Sequence, residues 1–285
     1  MGDILKKIFE TVGLISLVCF SFFYTNRITT VIKENDDLLK QIEEIQEQYK
    51  TEPINAVIEG NTIIPGLSGK MIDIKNSYKK MKKLNKFNAN LLVYKDSKPE
   101  ISVKKVYDKY IISGNKNNKE VSLLFLLDNQ DKIDKLLSIL DENEIKATFY
   151  TDGKWFENND QTIIDLIEDG HIIGNLGYHF KYDTSGVSWM NTIVTKIGKQ
   201  RQTYCYNAIE EESTLEYCNL NQSYTIRPSI IVKNNPLIEI KSGLSNGSII
   251  SLEVNDTTIK ELPLIIDYIA SKDLSIVTIE ELLNE

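Results

Sequence analysis

The side chains that could do chemistry in this chain stand at the ends of apolar runs. Asp128 follows VSLLFLL, Asp152 follows KATFYT, His179 follows HIIGNLGY, and Glu253 follows SIISL. Carboxylate oxygens and an imidazole nitrogen are donors for a divalent ion, so Asp128, His179 and Glu253 could build an Asp–His–Glu site for zinc or a similar metal. Without a metal, Asp128, Asp152, Trp155, His179, Arg227 and Glu253 could line a glycan cleft. Charged groups there would bind sugar hydroxyls, and an indole would offer its face to a ring. The plain alternative is that these are solvent-facing loop residues.

Those residues need a scaffold that brings strand ends to one mouth. Strand-like apolar runs occur at 122–127, 146–151, 171–175, 203–206, 224–226, 248–254 and 275–279. Between them lie helical stripes: Ile133, Leu136, Leu137 and Leu140; Ile163, Leu166 and Ile167; Trp189, Ile193, Val194 and Ile197. Pro236 and Pro263 read as lying near the starts of two further helices, where a missing N–H costs little. Strand and helix alternate, which implies a parallel sheet, and continuously apolar strands imply that both faces are covered. The expected architecture is α/β, a distorted (β/α) barrel of about seven strands. No GxGxxG or GxxxxGK[ST] follows any strand, so a nucleotide phosphate has no cradle.

The 285 residues leave room for more than this barrel. Residues 1–26 hold an apolar run behind Lys6 and Lys7 and read as an uncleaved transmembrane anchor, amino end inside. In 27–52, Ile28, Asn35, Ile42 and Tyr49 alternate with Val31, Leu38 and Ile45 at heptad spacing. That reads as a dimerising coiled-coil stalk, or else as one amphipathic helix packing on its own domain. Residues 53–119 mix short strand signals, turn formers and a helical stretch, and read as a small α+β adapter; 120–285 form the main domain. A net charge of −8 argues against nucleic acid as a partner. With three cysteines there is no disulfide-built scaffold; Cys205 and Cys218 could pair if they lie outside the cell, or remain free thiols.

The strand-end segments resemble the polysaccharide deacetylase family, carbohydrate esterases on a distorted (β/α) barrel. KATFYTDGKWFENN is similar to the family's K-A-T-F-F-x-x-G stretch. LIEDGHIIGNLGYH is similar to its I-x-x-x-G-H-E-I-G-N-H-[ST]-x-x-H. GSIISLEV resembles G-S-I-I-L-L-H-D, and ELPLIIDYIASKDLSIVTIEELL resembles the closing elements. The resemblance runs from Val121 to the end of the chain.

Active members use an Asp–His–His metal site to polarise an N-acetyl carbonyl and activate water, with an Asp base and a histidine that protonates the leaving amine. The resemblance puts Leu126 at the base position, Leu127, Leu176 and Phe180 at the metal positions, and Glu253 at the leaving-group histidine. Leucine and phenylalanine have no lone pair for a metal, so the expected protein is a pseudoenzyme with no catalytic residues and no cofactor. It would bind a cell-wall glycan or an envelope protein at a bacterial plasma membrane, single-pass, with its carboxyl-terminal domain outside. The alternative is a divergent deacetylase of N-acetylated wall glycans whose metal site has moved. His171 is expected in a core or turn role, and Trp189 in the core.

Overall fold

The structure is a computed structural model, and the residues it describes are 12–22, 36–127, 132–198 and 200–285. The described residues divide into two compact units, one drawing on 1–52 and 69–97, the other on 53–68 and 98–285.

The larger unit is built on one long sheet. Its strands are β1 (Val57–Glu59), β2 (Thr62–Ile64), β5 (Tyr110–Ile111), β6 (Glu120–Leu127), β7 (Thr148–Thr151), β8 (Ile172–Asn175), β9 (Tyr204–Tyr206), β10 (Tyr224–Ile226), β11 (Ile230–Ile231), β12 (Ile249–Glu253) and β13 (Ser275–Val277). They run in the order β1-β2-β5-β10-β9-β8-β7-β6-β12-β11, with β13 on the first half of β6. Every pairing is parallel except β1 with β2. Each strand in the expected set is present.

The sheet curls because its two faces carry different layers. Along β6, alternate residues point to opposite faces. Leu123, Phe125 and Leu127 join an outer core with the helices, and Leu124 and Leu126 face an inner cluster. That inner cluster gathers Ile63 of β2, Tyr150 of β7, Tyr204 of β9, Ile226 of β10 and Ile249 of β12. Residues from across the sheet meet only if it wraps around them. The result is a curled half-barrel with β1 and β11 at its ends, rather than a closed barrel.

The helices cover the outer face. They include α4 (Ile133–Glu142), α5 (Gly153–Asn158), α6 (Asp160–Glu168), α7 (Thr184–Gly198), α8 (Glu212–Leu220), α9 (Pro236–Gly243) and α10 (Asp256–Ser271), whereas α11 (Ile279–Leu282) puts Ile279 and Leu282 into the inner cluster. Ile133, Leu136, Leu140, Ile163, Leu166 and Val194 are buried as their stripes predict, each contributing roughly 2 kcal/mol by burial, whereas Ile197 is exposed. Pro236 opens α9, but Pro263 lies inside α10. That helix starts earlier because Asn255 caps it, accepting the Thr258 N–H at 2.9 Å. Pro263 faces solvent.

The segment read as an adapter is divided. Residues 53–68 and 98–119 supply β1, β2 and β5 of the large sheet, while 69–97 belong to the smaller unit. There β3 (Gly69–Ile72) pairs with β4 (Tyr94–Ser97), beside α3 (Ile74–Lys82), α1 (Asp37–Glu44) and α2 (Gln46–Tyr49).

Two amino-terminal expectations need correction. Leu38 and Ile42, assigned to a coiled-coil seam, are buried with Ile72, Met81 and Leu92 of their own unit. The apolar face is therefore already covered, and the amphipathic-helix reading holds for this stretch. Over two turns a heptad seam and an ordinary core-facing stripe have the same pattern. Ile28, Val31 and Asn35 lie outside the described residues. Residues 12–22 are helical with exposed apolar side chains. No described helix is long and apolar enough to cross a membrane, so the single-pass anchor expected at 1–26 is not supported; its remaining residues lie outside the described ones.

Candidate functional site

The carboxyl ends of the parallel strands form one rim, and the sequence-predicted residues distribute themselves around it unequally. Leu126 and Glu253 are register partners on β6 and β12. Leu126 is half-buried against the inner cluster, and Glu253 is exposed beside Lys233, Asn234 and Asn255 in a cavity of about 210 Å³. Leu127 points the other way and is fully buried in the outer core. Leu176, just past β8, packs half-buried against the inner cluster. Asp128 lies outside the described residues.

Phe180 breaks the apolar pattern. It is 63% exposed rather than part of the barrel filling. His179 and Phe180 have φ of +53° and +54°, the left-handed region that costs a residue with a Cβ about 1–2 kcal/mol. Asp152 holds them there. Its Oδ2 accepts the Phe180 N–H at 2.7 Å, and its Oδ1 accepts the N–H groups of Lys154 and Trp155 at the start of α5. The Asp152 carboxylate is almost wholly buried and fully engaged. It is a helix cap and loop fastener, with no face left for a sugar.

The remaining candidates do not converge. His179 is exposed, its ring edge-on to Tyr178 at 4.9 Å. Trp155 packs half-buried against the outer core, and Trp189 does likewise, edge-on to Phe156 and Tyr178. The Arg227 guanidinium pairs with Glu210, while its backbone N–H donates to Ile111 O. His171 sits buried at the start of β8, where its Nδ1 accepts the Ala147 N–H at 3.1 Å. Burial drives its pKa down to about 4, helped by the nearby Lys146.

Inside the rim stands a tyrosine set that strand patterning alone does not single out. Tyr182 Oη lies 2.7 Å from Asn175 O and 2.8 Å from Tyr206 O, and accepts the Tyr206 N–H, tying β8 to β9. Tyr206 and Ser251 share a hydroxyl hydrogen bond of 2.9 Å. Tyr150 is fully buried, 5.4 Å from the Tyr206 ring, and its hydroxyl has no partner among the described residues. Gly174 admits that ring: a Cβ there would stand 2.4 Å from it. Desolvation raises the pKa of Tyr150, Tyr182 and Tyr206, so all stay neutral hydroxyls. The alternation in TFYT and YCY was the available signal.

Among the described residues, this rim offers no site for a divalent metal. Leu127, Leu176 and Phe180 offer no donor atom, Asp152 is engaged, and the described residues contain no group of three metal-binding side chains. Cys205 and Cys218 are disulfide-bonded, joining β9 to α8.

Residues 113–215 match the family model for polysaccharide deacetylase. The chain is 28% identical over 278 residues to the uncharacterized protein YlxY of Bacillus subtilis, covering 90% of this chain and 86% of that one. Among solved structures it is similar to BA3943 of Bacillus anthracis, described as a CE4 family pseudoenzyme, with 22% identity and a TM-score of 0.67 over 87% of this chain and 95% of that one. It also resembles PdaA of Bacillus subtilis, a family 4 carbohydrate esterase, with 20% identity and a TM-score of 0.53 over 81% and 97% of the two chains. The chain thus carries a polysaccharide deacetylase domain, with Leu126, Leu127, Leu176 and Phe180 at the positions that the sequence resemblance assigns to the base and the metal ligands.

Proposed function

We propose that this protein is a catalytically inactive deacetylase-like protein that binds glycan, or a protein assembled on glycan, in the envelope outside the cell. The observation that carries the reading is Leu127: a buried outer-core side chain stands at the metal-ligand position. Apolar Leu126 and Leu176 beside it support the same conclusion. Among the described residues, no metal-binding set and no base stands at this rim to activate water against an amide. The fold remains intact, and the curled sheet still presents a rim with Glu253, Arg227 and the exposed Phe180.

The Cys205–Cys218 disulfide supports the extracellular placement, because such bonds persist in oxidising compartments. The likeness to a pseudoenzyme lends support to the loss of activity. The reading requires neither a membrane span nor a coiled-coil dimer.

Metal analysis and acetate release test it together. The purified chain, incubated with zinc and then desalted, should retain no stoichiometric metal and should release no acetate from chitooligosaccharide or peptidoglycan. Stoichiometric zinc with acetate release would establish the divergent-enzyme alternative. Retention on insoluble peptidoglycan is expected, and loss of all retention would leave only a scaffolding role.

A further inference from the structure

The opposite rim of the larger unit, at the amino ends of the strands, carries a cavity of about 390 Å³ unlike anything at the carboxyl rim. It lies where residues 201–203 lead into β9, Asn221 and Gln222 lead from α8 towards β10, and Tyr107 approaches β5. Ser188, Asn191, Thr192 and Thr195, spaced along one face of α7, form its wall. In a chain that is 26% charged, this wall of the helix is entirely neutral hydroxyl and amide. The cavity lining contains no carboxylate, and its one formal charge is Arg201.

Part of this lining is already engaged. Asn191 donates to Ser223 Oγ and accepts from Asn175; the Thr195 hydroxyl donates to Asn191 O. Those bonds fix the wall. The groups above it are free of such ties: the side chains of Gln202 and Gln222 make no hydrogen bond among the described residues. Arg201 is 84% exposed, with only a loose 4.0 Å approach to Glu280. Tyr107 is half-buried, braced on the Tyr224 ring at 5.1 Å.

The backbone fixes where Gln222 stands. It ends α8 in a left-handed conformation, φ +53°, with its N–H on Asn219 O and the next N–H on Cys218 O. Helices that end this way favour glycine or asparagine, because a longer side chain adds strain. Glu144 and Asp273 end two other helices with the same geometry, so what distinguishes Gln222 is that its exposed amide lies at the cavity edge.

We propose that this cavity binds a saccharide unit bearing a carboxylate. The amides of Gln202 and Gln222 would take its hydroxyl and acetamido groups, Tyr107 would flank the ring, and Arg201 would form the charge-assisted bond to the carboxylate. An amide-lined surface with one guanidinium matches that chemistry, the acidic ligand displacing the loose 4.0 Å approach of Glu280 to Arg201. The proposal does not depend on the reading of the carboxyl rim, and either can fail alone.

The test is calorimetric titration of the full chain with two probes: the N-acetylglucosamine–N-acetylmuramic acid disaccharide, which has a carboxylate, and N,N′-diacetylchitobiose, which has none. The acidic disaccharide should bind at least tenfold more tightly. Arg201→Ala should abolish that preference while leaving chitobiose unchanged. Gln222→Gly, which suits the backbone and keeps the fold, should weaken both and raise the unfolding temperature. Absence of binding by the acidic disaccharide, equal binding of both probes, or affinity unchanged in the two variants would overturn the proposal.

Discussion

The two rims of the curled sheet treat polar groups in opposite ways. At the carboxyl rim, the positions that the sequence resemblance assigns to a base and a metal ligand hold half-buried Leu126 and buried Leu127, while the buried Asp152 carboxylate is engaged by three backbone N–H groups. At the amino rim the side chains of Gln202 and Gln222 make no hydrogen bond among the described residues, and Arg201 has only a 4.0 Å approach to Glu280. A fold can keep its architecture while its reactive rim turns into packing, because strand and helix layers need only apolar alternation. Where polar groups remain unsatisfied and accessible is then a better guide to binding than ancestral position.

The sharpest way to break this comparison is to reinstall a carboxylate at the old site. Leu127→Asp places a charge in the outer core and should cost about 4 kcal/mol or more, at roughly 2–3 for the lost burial plus the desolvation of an unpaired carboxylate. Leu126→Asp, on the half-buried side of the same strand, should cost about 2 kcal/mol. Urea unfolding of the two variants reads the difference. Equal losses would mean that Leu127 is not the packing residue that the outer core makes it.

The next effect is a pH dependence beneath the amino rim. Burial holds His171 at about 4, below its usual range, and its Nε2 has no partner among the described residues. The folded state therefore favours the neutral ring. Its contribution is complete above about pH 6.5 and is lost as pH falls through 6.5 towards 4, on the order of 3 kcal/mol across the window. His171→Phe should flatten that part of the stability curve. In the smaller unit Asp36, held at about 2 by hydrogen bonds from Lys82 and Tyr78, follows at lower pH: its contribution is present above about 4 and lost as pH drops towards 2. A His171→Phe curve as steep as the wild type between 6.5 and 4 would locate the acid sensitivity elsewhere.

How much of this was legible in the sequence depends on the range of the interaction. The long strands and the helical stripes were readable because period-two and period-3.6 patterns are local. The β5 strand is among the short strand signals read in 53–119, whereas β11 is two residues long, too short to carry any alternation, and exists only through a distant partner. Tyr110 of β5 pairs with Thr225 of β10, and Ile230 of β11 with Ile250 of β12. Asp152 could be seen as a residue at a strand end, but its bond to Phe180, 28 positions away, could not. Phe180, whose N–H makes that bond, stands exposed, unlike buried Leu127 and half-buried Leu176. Likewise the cysteine pairing rests on α8 folding back onto β9, which no spacing rule states.

Asp152→Ala tests the carboxyl rim directly. It removes a helix cap worth about 1 kcal/mol and the bond to Phe180 worth about as much, so thermal unfolding should report a loss of about 2 kcal/mol. Glycan retention at the amino rim should be untouched, which a structural collapse would not allow.

The smallest effect has the opposite sign. Phe180 is exposed and left-handed, so Phe180→Gly relieves about 1–2 kcal/mol of backbone strain and gives back roughly 0.5–1 through the freer unfolded chain. The variant should be as stable as the parent or more stable by up to about 1 kcal/mol, measured by urea unfolding. Peptidoglycan retention gives that result its meaning. If retention falls while stability holds, the strained phenylalanine presents its ring to glycan, and the carboxyl rim keeps a binding role after losing its chemistry. If retention is unchanged, binding belongs to the amino rim alone and the contrast between the two ends becomes complete.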